Sequence, residues 1–157
     1  IYLNRGIALE RLGDFEGAET DFTQALETSP NLTEAYVNRA RVRKSLGQLN
    51  AALRDSDRAI DLAPNHPLLF NNRSDLRRRM KDIEGALADA QRALELDPEL
   101  TQALLSRSLA YTMKGEEAKA LEDLERAIAL DPDLPGAFYL RGRWKFDQKR
   151  SQNAVPT

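Results

Sequence analysis

The sequence predicts an all-α solenoid of stacked helix hairpins, and three periodic features predict it. Proline recurs every 34 residues, at Pro30, Pro64, Pro98 and Pro132. Two alanine series keep the same interval, Ala18, Ala52, Ala86 and Ala120 with Ala25, Ala59, Ala93 and Ala127. Glycine marks Gly13, Gly47 and Gly115. A period of this length signals a repeat architecture, in which each unit buries its apolar face only by stacking on its neighbours.

Each unit reads as two amphipathic helices. In the second unit helix A runs from Glu34 to Leu46 and helix B from Leu49 to Leu62. The intervening glycine takes the left-handed conformation that ends helix A. Proline stops helix B and restarts the next unit. The alanines fall where two helices approach closely, and a larger side chain there would push them apart. This reading places four units at about 1–32, 33–66, 67–100 and 101–134. A fifth A helix, 135–150, caps a domain spanning 1–150, and 151–157 is a tail. The third unit departs from the pattern, with Lys81 at the glycine position. A side chain in a left-handed turn costs roughly 1 kcal/mol, so this turn is expected to be looser or differently shaped.

Tyr36, Ala40, Gly47, Ala52, Ala59 and Pro64 form an aromatic, small, Gly, Ala, Ala, Pro pattern that resembles the tetratricopeptide repeat. Four consecutive units keep this register without an insertion. The resemblance implies a right-handed superhelix whose A helices line a concave groove. An all-α bundle without superhelical order is the less specific alternative.

The chain has 157 residues, enough for one domain that needs no covalent staples, and it has no cysteine. That excludes disulfides, thiolate metal sites and cysteine nucleophiles, and it fits a reducing, cytoplasmic setting. No apolar run approaches the ~20 residues of a membrane span. The sequence starts at Ile1 without a methionine or signal-like segment, so a piece of a longer protein is expected.

Arginine returns at Arg5, Arg39, Arg73, Arg107 and Arg141, where a helix would ordinarily bury an aliphatic residue. Arg5 and Asp21 are equally distant from Gly13, as Arg39 and Asp55 are from Gly47 and Arg107 and Asp123 from Gly115; Arg73 and Asp89 flank Lys81 alike. Residues equidistant from a hairpin turn face each other, so four structural ion pairs are expected. Deleting only the aspartate should cost about 3 kcal/mol by stranding the arginine. At a second facing pair Leu9 meets Phe22 and Tyr111 meets Leu124, whereas Arg43 meets Ser56 and Arg77 meets Ala90. Those two arginines are expected to extend past the small partner toward solvent.

Charge is divided by helix. The five A segments carry a net +13 and the rest −15, giving −2 overall. In a stack of this kind the inner wall is basic and the outer wall acidic. With the periodic arginines committed to the frame, Arg41, Lys44, Arg78 and Arg79 remain for the groove, interrupted by Asp75 and Glu34. Such a groove favours an extended acidic segment; a solvated charged face is the alternative. Asn4, Asn38 and Asn72 precede the periodic arginines, giving way to Ser106 and Leu140. Asparagine both donates and accepts, so this row could hold a peptide backbone without reading its side chains. It resembles the asparagine ladders of some tetratricopeptide proteins, although asparagine also stands there in repeats without a known ligand. The family's dicarboxylate clamp does not fit: its first pair of positions reads Leu3 and Ile7 or Val37 and Arg41, and its later pair Leu68 and Asn72 or Gln102 and Ser106.

Catalytic signatures are missing. His66 is the only histidine, in a PNHP loop, and no nucleophile elbow, phosphate-cradling loop or HExxH is present. No cofactor is expected. Tyr2, Tyr36, Phe70 and Phe138 share the repeat interval and are read as core, not as base-stacking platforms, so nucleic acid is not expected. At the C-terminal end Trp144 replaces Ala8, Val42, Leu76 and Ala110, and Phe146 lies close by. An exposed tryptophan there points either to a helix covered by the SQNAVPT tail or to an end that self-associates. The sequence thus predicts a non-enzymatic scaffold for a protein or peptide, the alternatives being the recruiting arm of a larger enzyme or an end-to-end assembly module.

Overall fold

The computed structural model describes residues 1–153. Its helices, in order, are α1 (Tyr2–Arg11), α2 (Phe15–Thr28), α3 (Thr33–Ser45), α4 (Leu49–Leu62), α5 (Pro67–Arg79), α6 (Ile83–Leu96), α7 (Thr101–Lys114), α8 (Glu117–Leu130) and α9 (Ala137–Asn153). Among the described residues there is no strand. The odd helices are the A helices and the even ones the B helices; α9 continues to Asn153, into the segment read as a tail. Residues 154–157, which end the SQNAVPT segment, lie outside the described residues.

The hairpin turns are built alike. Gly13, Gly47 and Gly115 have φ of 83°, 76° and 83°, and Lys81 joins them at 66°. Each turn closes with the same backbone bond, Asp14 N to Leu9 O, Gln48 N to Arg43 O, Asp82 N to Arg77 O and Glu116 N to Tyr111 O, all 2.8–2.9 Å. The expectation of a looser or differently shaped third turn is therefore corrected. Tertiary packing of α5 on α6 imposes the geometry, and Lys81 carries the strain. Asp14 and Asp82 cap the following B helices by accepting from Gly17 N and Gly85 N, both at 3.0 Å.

Small residues let the helices meet. Ala18, Ala52, Ala86, Ala93 and Ala127 have no or almost no exposed surface. At a further small position Gly6 faces the Phe22 ring, and a Cβ there would stand 2.7 Å from it. Two repeats on, Ser74 donates to Ala86 O, and then Ser108 to Ala120 O, each at 2.7 Å, pinning helix A to helix B. The main core runs without interruption from Ala59 and Ile60 through Phe70, Leu94 and Leu104 to Leu134 and Ala137. Fully buried side chains such as Phe22 and Leu104 each contribute roughly 2–3 kcal/mol. Each B helix packs on the next A helix, and A helices also touch one another, α1 on α3 and α5 on α7. The result is an α-solenoid with the A helices side by side along one wall. Among the described residues no helix is long and apolar enough to cross a membrane.

The periodic arginines lie in this frame. Arg5, Arg39, Arg73 and Arg107 each fork onto Asp21, Asp55, Asp89 and Asp123 through Nε and Nη2, at 2.6–2.9 Å. The aspartates are buried. Asp21 is held below the usual carboxylate range chiefly by the Arg5 hydrogen bond, against the effect of burial. Arg43 and Arg77 do not run to solvent as expected. Ser56 and Ala90 leave room for them to fold inward, and their Nη1 atoms reach Asp55 Oδ2 at 2.8 Å and Asp89 Oδ2 at 3.0 Å. A buried carboxylate with spare lone pairs outcompetes water for a half-buried guanidinium. Of the periodic aromatics, Phe70 belongs to the core and Tyr36 packs against it, whereas Tyr2 and Phe138 need correction as core. Phe70 is buried, but Tyr2 is 39% and Phe138 50% exposed. All four lie beneath the arginine three residues on, with guanidinium to ring distances of 5.6 Å for Arg5 on Tyr2, 5.7 Å for Arg39 on Tyr36 and Arg73 on Phe70, and 4.9 Å for Arg141 on Phe138.

Candidate peptide-binding groove

Two acid–base clusters occupy the A-helix wall where α1, α3 and α5 lie side by side. In the first, Arg41 on α3 forks onto Glu10 of α1, Nε to Oε1 at 2.5 Å and Nη2 to Oε2 at 2.6 Å. Its Nη2 also donates to Asn38 Oδ1 at 3.0 Å. The Glu10 hydrogen bond raises the Arg41 guanidinium further above its usual range. In the second cluster Asp75 on α5 receives three cations. Lys44 Nζ reaches Oδ2 at 2.9 Å, Arg78 Nη2 reaches Oδ1 at 2.6 Å and Arg79 Nε reaches Oδ2 at 3.2 Å. Burial alone would raise the Asp75 carboxyl, but the hydrogen bond and charge of Lys44, then Arg78 and Arg79, outweigh it and hold the group at about 2.

Between these clusters α3, α4 and α5 enclose a cavity of about 120 Å³. Val37, Ala59, Leu69 and Leu76 form its apolar wall, and Arg41, Lys44, Ser56 and Asn72 bring polar groups to it. Three of the predicted basic and amide residues, Arg41, Lys44 and Asn72, thus converge on one opening. Asn4 and Asn72 are exposed, whereas Asn38 is buried and engaged with Arg41. Where the asparagine row gives way to Ser106, that hydroxyl donates to the buried Asn71 Oδ1 at 2.8 Å and ties α7 to α5.

Sequence reasoning treated Asp75 as an interruption of the basic surface and gave Glu10 no part. Asp75 is the point on which the surface is organised. Its spacing to Arg78 and Arg79, three and four residues on one helix, was a readable signal. The cross-helix contacts share a separation of 31 residues, Glu10 to Arg41 and Lys44 to Asp75, which is one repeat less three.

Family models described as tetratricopeptide repeat match residues 1–32, 33–66 and 71–135. The chain belongs to the tetratricopeptide repeat family. Similar solved structures include MamA, 23% identical with a TM-score of 0.81 over 95% of this chain and 87% of that one. TTC0263, a thermophilic TPR protein of Thermus thermophilus, is 28% identical with a TM-score of 0.79 over 95% of this chain and 82% of its own. The first TPR of Spaghetti (RPAP3), solved bound to the HSP90 peptide SRMEEVD, is 21% identical with a TM-score of 0.70 over 74% of this chain and 93% of that one. No curated protein matches the sequence. These TPR structures share the solenoid, and the residues of the groove must be read from this chain itself.

At the other end of the wall, Trp144 is not the exposed residue the sequence suggested. It is half-buried against α7 and α8, where it lines a second cavity. The exposed aromatics of α9 are Phe138, Tyr139 at 71% and Phe146 at 61%. Trp144 packs inward because α9 takes the place of an A helix, and that position of an A helix faces the preceding hairpin, as Leu76 does against Ala40 and Ala52.

Proposed function

We propose that this TPR chain is a non-catalytic scaffold that binds an extended acidic segment of a partner protein along its A helices. The observation that carries the reading is the convergence of Lys44, Arg78 and Arg79 on Asp75, beside a cavity to which Arg41 and Asn72 also contribute. Three cations around one carboxylate leave a local excess of positive charge, which attracts carboxylates by steering and by charge-assisted hydrogen bonds. The exposed amide of Asn72 supplies a donor and an acceptor for peptide backbone. The TPR bound to SRMEEVD offers a precedent for an acidic peptide on this fold. The test is titration of a labelled hexaglutamate peptide at low salt. Charge reversal in R41E and R78E weakens binding strongly if the reading holds; unchanged affinity rejects it.

A second reading, self-association through the α9 end, is favoured by the exposed Phe138, Tyr139 and Phe146 rather than by Trp144. Sedimentation that depends on concentration in the native chain and not in F146K supports it; a monomer at all concentrations removes it.

A further inference from the structure

Two cavities among the described residues occupy the same place in the repeat. Ala40, Arg41, Lys44, Ser56, Asn72 and Leu76 line the first. Moving 68 residues along the chain, two repeats of 34, gives Ser108, Leu109, Thr112, Leu124, Leu140 and Trp144, and all six line the second cavity, between α7, α8 and α9. Both enclose about 120 Å³. Their chemistry differs. Arginine, lysine and asparagine in the first are replaced by Leu109, Thr112 and Leu140 in the second, with Trp144 in place of Leu76.

We propose that the groove is bipartite: an extended partner segment sets carboxylates at the first cavity and an apolar side chain in the second, against Leu109, Leu124, Leu140 and Trp144. The inference rests on the acidic-segment reading above and adds an apolar anchor, two repeats away, to the partner's chemistry. Repeat geometry places both openings on the same strip of the A-helix wall, so one extended chain can reach both. Glu117, Arg143 and Asp147 stand around the second cavity and make its mouth polar. An aliphatic side chain enters such a cavity while its flanking peptide groups remain at the polar mouth.

The experiment compares hexaglutamate with the same peptide extended, through a Gly-Ser spacer, by a leucine tripeptide at one end or the other. Trp144 is the only tryptophan, so its emission reports the second cavity alone. One of the extended peptides should bind about tenfold tighter than hexaglutamate and shift Trp144 emission to the blue, whereas hexaglutamate leaves the emission in place. In L109K, and in T112K as a second variant, the extended peptide should bind no tighter than hexaglutamate does. No gain in either orientation, a gain that survives both variants, or an unmoved Trp144 emission overturns the bipartite groove while hexaglutamate binding stands. If no peptide binds at all, the acidic-segment reading fails and the bipartite groove with it.

Discussion

Arg73 Nη1 meets Asp57 Oδ1 at 2.7 Å, sixteen residues back on the second helix of the preceding repeat. The same guanidinium forks onto Asp89, sixteen residues ahead in its own repeat. Arg39 reaches back to Thr23, Arg107 to Gln91 and Arg141 to Glu125 over the same interval. The arginine row therefore joins neighbouring hairpins as well as closing each one, which is how charge is accommodated in a solenoid with a small apolar core.

The two arms of Arg73 should differ in strength. Asp89 is 4% exposed and also holds Arg77, whereas Asp57 is 48% exposed. D89N should cost about 3 kcal/mol, because two half-buried guanidiniums lose the negative charge and one of the two acceptor oxygens they share. D57N should cost less than about 1 kcal/mol, as for surface pairs. Urea unfolding of both variants checks the contrast.

Lys81 holds φ at 66° in a turn where the other repeats use glycine. No neighbouring atom crowds the corresponding glycines, so the strain is conformational alone. K81G should raise stability by about 1 kcal/mol, read from the urea midpoint.

The Asp75 carboxyl, at about 2 in the folded chain, lies below its unfolded value of about 3.9. Its contribution is complete above about pH 4 and is lost as pH falls from there to about 2. With a quarter of the side chain still exposed, that contribution is about 2 kcal/mol. D75N should be less stable than the native chain at pH 7 by this amount, and the difference should close in the same acid window.

Asp75 also competes with any acidic ligand for Lys44, Arg78 and Arg79. D75N should therefore bind hexaglutamate more tightly, by roughly tenfold at low salt. Arg41 and Arg78 should respond unequally to lysine. Arg41 is already forked on Glu10, whereas Arg78 Nε is buried with no hydrogen-bond partner among the described residues while its Nη2 bonds Asp75. Arg78 keeps a donor that a ligand carboxylate can take once the side chain swings out. Anisotropy titration should find that R78K loses more affinity than R41K, although both retain the charge.

The fold was legible because repetition states it several times over: the turn glycines, the alanines and the Arg and Asp equidistant from each turn all point to one hairpin. What escaped the sequence depends on contacts between units. Arg43 and Arg77 turn inward because Asp55 and Asp89 have lone pairs to spare, which spacing within a hairpin does not reveal. Lys81 obeys its neighbours and not its own preference. The roles of Glu10 and Asp75 emerge only when adjacent A helices are placed side by side, since each ion pair crosses between them. Trp144 was read as exposed, because how deeply α7 and α8 cover it is a matter of packing.

The central claim is that acidic segments lie on the A-helix wall. Backbone amide shifts of the full chain during hexaglutamate titration test it most directly. The account predicts that the largest changes fall on α3 and α5, over residues 37–44 and 71–79, and fade with added salt. Changes concentrated on the B helices, or none at saturating peptide, would contradict it.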